Sequence, residues 1–223
     1  MCFSAAASFG ASVVISTIGI VSYKKAGRNP IRSIAWFPIL FGIHQFIEGW
    51  VWVSSTHQQF AWLLPWATHG FIFVAWIIWP VFIPWILWKV EQNSLRKKIL
   101  FISTLIGLLI VSTMSFFLFT KNITARIIDC SVYYNYGGHT SSSYWFRFLY
   151  ALSVTLPNIF SSRSKMWLLG VMNLILYFFS RIYFEEHVVS VWCFFASISS
   201  ILILYIVLIE KRKELLSFNE QIE

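Results

Sequence analysis

The stretch His44-Gln45-Phe46-Ile47-Glu48-Gly49-Trp50-Val51-Trp52 lies inside an apolar run and carries a carboxylate that a lipid-facing surface would not tolerate. Of the nine acidic residues, Glu91, Asp129, Glu185, Glu186, Glu210, Glu214, Glu220 and Glu223 fall in expected connections or tails. Glu48 alone sits within an expected membrane span. An ionisable group at that depth is costly, turns towards protein interior or a watery cavity, and marks a functional site by default.

Working outward, the 223 residues are 58% hydrophobic and only 12% charged, against about 25% charged in soluble chains. Apolar runs long enough to cross a bilayer recur along the whole length. The fold class expected is all-α: a polytopic transmembrane helical bundle of about seven spans, near residues 4–22, 34–53, 62–88, 99–119, 144–160, 166–183 and 188–209. Residues 1–209 then form a single transmembrane domain, and 210–223 a short charged cytoplasmic tail. Pro65, Pro80 and Pro84 make the third span tilted or kinked.

The net charge of +8 does not point to nucleic acid, because the basic residues cluster in short connections, as topology determinants do. Lys24, Lys25, Arg28, Arg32, Lys89, Arg96, Lys97, Lys98, Arg163, Lys165, Lys211, Arg212 and Lys213 fall on one side, while Lys121, Arg126, Arg147 and Arg181 fall on the other. That bias places the N-terminus outside and the C-terminus in the cytoplasm. The connection 120–143 is then external. Its run Val132-Tyr133-Tyr134-Asn135-Tyr136-Gly137-Gly138 reads as a short strand or hairpin ending in a Gly turn, or as a lid over the bundle. The tryptophans, among them Trp50, Trp52, Trp62, Trp66 and Trp192, read mostly as an interfacial aromatic belt.

Depth brings several reactive groups to one layer. At helical rise, Glu48 lies ~8 Å inside the outer end of span 2, His69 ~10 Å inside span 3 and Cys193 ~8 Å inside span 7. Cys2 belongs at the outer edge of span 1. His44 and Glu48, four apart, share a helix face and suit a metal or an acid–base pair. Gln45 is placed to hydrogen-bond Glu48, and Arg147 to snorkel, to pair with Glu48 or to hold an anionic head group. Cys2 and Cys130, both external, are also placed to form a disulfide. The tentative metal set is His44, Glu48, His69, Cys193 and Cys2, the catalytic pair Glu48 and His69, and the ligand pocket adds Gln45, Arg147 and Trp52. Against each stands a bland reading: a satisfied core histidine, a small buried thiol, a packing carboxyl.

Met1-Cys2-Phe3-Ser4-Ala5, Gln45-x-x-Glu48-Gly49, Trp79-Pro80, Thr124-Ala125-Arg126-Ile127 and Ser190-Val191-Trp192-Cys193-Phe194-Phe195-Ala196 resemble an uncharacterised family of small bacterial integral membrane proteins. The resemblance covers essentially the whole chain. It implies a polytopic protein of a bacterial inner membrane and brings no activity with it.

Three functions are expected from these residues. The first is an outward-facing polar pocket around Glu48 that binds a divalent metal or a small lipid-like ligand and is open to catalysis. The second is a small proton-coupled transporter using Glu48. The third is a structural membrane subunit in which Glu48 merely seals the bundle with Arg147. The expected partners are the lipid bilayer and a small molecule or lipid.

Overall fold

The computed structural model describes residues 3–128, 131–136 and 144–220. Helix α1 (Ala5–Ala26) starts under the Ser4 hydroxyl, which accepts from the Ala7 amide at 3.2 Å, and stops at Gly27, whose φ of 59° is open to glycine. A 3-10 turn at Pro30–Ala35 leads into α2 (Trp36–Thr56), and a second at Gln58–Leu63 leads into α3 (Leu64–Phe73). A π-helical turn, Val74–Ile78, joins α3 to α4 (Trp79–Val90) without a break. After Asn93 caps it, α5 (Ser94–Thr120) follows, then the antiparallel hairpin β1 (Thr124–Ile128) and β2 (Ser131–Asn135). Helices α6 (Tyr144–Phe160), α7 (Met166–Tyr183), α8 (Val188–Ile198) and α9 (Ser200–Glu220) complete the chain.

The fold is an all-α helical bundle. Among the described residues six helical stretches are long and apolar enough to cross a membrane, and the fifth expected span, α6, is a helix of 17 residues packed between α4 and α7. Together they trace the seven expected passes to within a few residues at most ends. The seventh differs: it divides at Ser199, and α9 carries on as one helix through the charged run 210–214. Helix α1 lies against α2 and α9, α4 against α5 and α6, and α7 against α8.

The basic connections gather at one end of the bundle. Arg163 donates through Nε to the Val90 carbonyl at 2.8 Å, the Ser164 amide to Glu210 at 3.2 Å, and the Asn29 side chain to Glu214 at 3.3 Å. Glu91 is the hub of this basic end. It accepts from the Gln92 and Asn93 amides at 2.9 Å each, from the Ser162 amide at 2.7 Å, and from the Ser161 and Ser162 hydroxyls. Partial burial pushes its carboxyl up, but the bonds from Ser162, Asn93 and Gln92 outweigh that and hold it below the usual carboxylate range.

The third span shows why a proline-rich helix survives here. Pro84 has no N–H for the Pro80 carbonyl, and Gly107 of α5 comes so close that an added Cβ would lie 2.1 Å from that oxygen. Tryptophans are split between two roles. Trp62 and Trp66 are exposed, as a belt requires, whereas Trp52 and Trp192 are buried in the core. The belt reading of those two is corrected: they face neighbouring helices and not the interface.

Two outcomes follow. Gly107→Ala lowers the thermal midpoint in detergent, by about 1–3 kcal/mol of overpacking, while Gly10→Ala, which meets open space, leaves it in place. For Glu91, a lowered carboxyl value in the fold means stabilisation fully present above the unfolded-chain value and lost as pH falls through the folded one. The gap between wild type and Glu91→Gln, about 1–3 kcal/mol at pH 7, therefore closes as pH falls below about 4. A gap independent of pH would refute this account.

Candidate functional site

Glu48 lies at the opposite end of the bundle from Glu91, 2% exposed on the inner face of α2. Ser190, in the first turn of α8, donates its hydroxyl to Glu48 Oε1. Among the described residues Glu48 takes part in no ion pair. Gln45 lies beside the carboxyl, but its Oε1 and Nε2 make no hydrogen bond, although the residue is 0% exposed. The Trp52 indole N–H, the Thr68 hydroxyl and the Tyr134 hydroxyl are likewise buried without a partner. Such groups in a membrane-buried core are normally satisfied, so their gathering on α2, α3 and the hairpin marks this end as a polar site.

The hairpin covers it. Strand β1 packs on α2 and α3, and β2 on α8. Tyr134 stacks on Phe71 with ring centres 4.9 Å apart, and Phe71 stacks on His44 at 4.1 Å. The lid expected from the tyrosine run is thus present as a two-stranded cover tied to the bundle by a column of three rings. The hairpin turn and Gly137–Gly138 lie outside the described residues. Burial pushes the Tyr134 and Tyr136 hydroxyls well above the usual phenol range; for Tyr136 the nearby Arg147 acts in the opposite direction.

Beneath the hairpin is a chamber of about 310 Å³. Tyr133, Tyr134, Tyr136, Arg147, Arg181, Glu185 and Glu186 supply its polar wall, and Trp76, Met114, Val189 and Trp192 its apolar one. Arg181 pairs with Glu185 at 2.8 Å. Cys193 lines the chamber and lies within electrostatic reach of Glu48. Glu48 itself does not line the chamber, but two residues that do, Tyr134 and Cys193, lie within its electrostatic reach.

Not every expected residue joins this group. His44 is fully buried; its Nε2–H donates to the Phe71 carbonyl at 3.0 Å, and its Nδ1 accepts from the Trp79 indole at 3.4 Å. A carbonyl only accepts and an indole only donates, so both ring nitrogens are engaged and no lone pair remains for a metal. In this arrangement both ring nitrogens of His44 serve the core. His69 donates its Nδ1–H to the Pro65 carbonyl of its own helix at 2.8 Å, and no hydrogen bond joins it to Glu48. Among the described residues no three His, Cys, Asp or Glu side chains stand close enough to share a metal ion. Among the described residues His44, Glu48, His69 and Cys193 do not gather as a metal set; Cys2 and Cys130, with their expected bridge, lie outside the described residues. Trp52 is buried near Glu48 rather than lining the chamber, and Arg147 does line it.

The sequence from residue 1 to 217 matches a family of unknown function (DUF6629). The chain belongs to that family. No curated protein and no solved structure matches it. The helices long and apolar enough to cross a membrane point to an integral membrane protein. Ser190 is the site residue that sequence reading missed. The signal available was a serine one turn before Cys193 in a helix otherwise rich in Val, Trp and Phe.

The Ser190 hydroxyl is the one described donor on the Glu48 carboxyl that meets hydrogen-bond geometry. Ser190→Ala is expected to lower the unfolding midpoint by about 1–3 kcal/mol, followed by tryptophan fluorescence in detergent. Ser190→Thr, which keeps the hydroxyl, retains most of the stability. Equal losses in both variants would mean that packing, and not this bond, is what Ser190 supplies.

Proposed function

We propose that this is a membrane-embedded binding protein whose site is the hairpin-covered chamber, and that its ligand is a small lipid-like molecule. The observation that carries the reading is the two-sided wall of the chamber. Ligand pockets run from about 300 to 1,000 Å³ and are mainly apolar with a few converging polar groups; this one lies at the lower end of that range. Arg147, Arg181, Glu185 and Glu186 suit a compact polar head, while Trp76, Met114 and Trp192 suit an apolar body. Gln45, Thr68 and Tyr134, with buried polar atoms lacking partners, supply hydrogen-bonding capacity behind that wall.

In this reading Glu48 is the polar anchor of the pocket. It reaches the chamber through Tyr134 and Cys193, whose small rearrangements set whether the ligand meets the carboxyl. The metal scheme is left aside because its ligands do not converge. The Lys/Arg distribution supports a cytoplasmic basic end and an outward-facing hairpin end, and the resemblance noted above supports a bacterial cytoplasmic membrane.

Native mass spectrometry of the detergent-purified full chain tests the proposal. The expected result is a small-molecule adduct, extractable into organic solvent, in wild type. Val189→Trp, which fills the chamber while leaving Glu48 and Ser190 unchanged, loses it. A wild type without any adduct, or a Val189→Trp protein that carries as much, would overturn the reading.

A further inference from the structure

A second cavity, of about 40 Å³, lies deeper between the helices and shares Tyr150, Trp192 and Cys193 with the outer chamber. Most of its wall is apolar, but Asn158 and Asn173 face it from α6 and α7. Each donates its Nδ2 one helical turn back, Asn158 to the Val154 carbonyl and Asn173 to the Leu169 carbonyl, both at 2.9 Å. Because a carbonyl can only accept, these bonds fix which way each amide points. Both Oδ1 atoms are left as acceptors without a partner, and Asn158 is only 1% exposed. The hydroxyl and indole donors of the wall, on Tyr150, Trp79, Trp192 and Ser199, are spent on other acceptors, so the two amide oxygens call for a further donor. A buried water supplies one and makes about three bonds, and the cavity has room for water.

The position of this cavity gives it further meaning. Towards the hairpin end it is bounded by Cys193, within electrostatic reach of Glu48 and one turn beyond Ser190. Towards the basic end, Asn158 is one turn from Ser161, whose hydroxyl donates to Glu91 at 3.3 Å. Hydroxyls, a thiol, a cavity and two amide oxygens thus lie between two buried carboxyls at opposite ends of the bundle. The titratable groups around Glu48 are His44 on its own helix, Cys193 from α8 and Tyr134 from the hairpin; no arginine or lysine ion-pairs with it among the described residues.

We propose that the inner cavity is hydrated and forms the middle of a proton path between Glu48 and Glu91. Each transfer breaks one O–H bond, or at Cys193 one S–H bond, and makes another on the next group, so a proton entering on the Glu48 carboxyl is matched by one leaving towards Glu91, with the membrane potential as driving force. Asn158 and Asn173 are positioning residues: they hold the waters and carry no proton. The inference rests on the inner cavity and stands whether or not the outer chamber holds a ligand.

The test is proton flux into liposomes containing the full chain and a trapped pH-sensitive dye, driven by a potassium–valinomycin potential. Wild type is expected to exceed protein-free liposomes, and Glu48→Gln to fall to their level. Asn158→Leu, which fills the cavity and removes an acceptor, lowers flux by about tenfold, the rate equivalent of one lost hydrogen bond. Asn158→Ser, which still holds water, keeps most of it; a merely structural asparagine would not show that contrast. If Asn158→Leu does not elute as a monodisperse species, Asn173→Leu replaces it. Wild-type flux equal to that of protein-free liposomes, or flux unchanged in the leucine variants, would overturn the proposal.

Discussion

A carboxyl group inside a helical bundle has few acceptable surroundings, and the bond from Ser190 to Glu48 is what makes this one acceptable. Without water nearby, a carboxylate, which only accepts and cannot bond back to the carbonyls of its own helix, must find its donor elsewhere or be left without one. That requirement brings α8 against α2. It also sets the hairpin in place, since a carboxyl close to the end of a span needs a cover to keep it from bulk solvent. Tyr134 supplies the cover through its stack on Phe71, and Phe71 is held in turn by His44, whose two nitrogens fix the α3 carbonyl and the α4 indole. The polar centre and the aromatic column are therefore one construction.

How much of this was legible in the sequence divides along a physical line. A charge within an apolar run announces itself, so Glu48 and the number of passes could be read from hydropathy alone. Depth along each span was also readable, because helical rise is constant, and it placed Glu48 and Cys193 in one layer. Azimuth was not readable. Which way a side chain points depends on how the helices rotate against one another, and this separates His69, bonded to its own helix, from Cys193, which reaches the site at nearly the same depth. The surroundings of His44 were hidden for a related reason: its spacing from Glu48 is readable, but the partners that occupy its nitrogens, Phe71 and Trp79, lie on other segments.

The third span shows a different limit. Its prolines announced a disturbed helix, but the disturbance settles at Val74–Ile78, ahead of Pro80, as a π-helical turn in which the Trp79 amide reaches the Val74 carbonyl. Nothing in Val-Ala-Trp-Ile-Ile marks that turn. Widening the helix there shifts carbonyls out of register, and the Tyr150 hydroxyl donates to one of them, at Ala75. Such turns are frequent at functional sites. Here the turn positions the very side chain that lies between the outer chamber and the inner cavity. A regular α-helix through residues 74–78 would engage the Ala75 carbonyl within the helix and leave the tyrosine to rotate.

Asn158 and Asn173 carry this reasoning one step further. An asparagine in a span reads as a packing residue that bonds back to its own helix, and both do so. The amide has two ends, however, and bonding back satisfies only the donor. In water the remaining oxygen would be of no consequence. Within the bundle it is a standing demand for a donor, repeated on two adjacent helices and facing one small cavity. The same logic that makes Glu48 conspicuous applies to these oxygens at lower charge. Together they set two polar oxygens beside one cavity where the hydropathy of each span, read alone, shows only hydrocarbon.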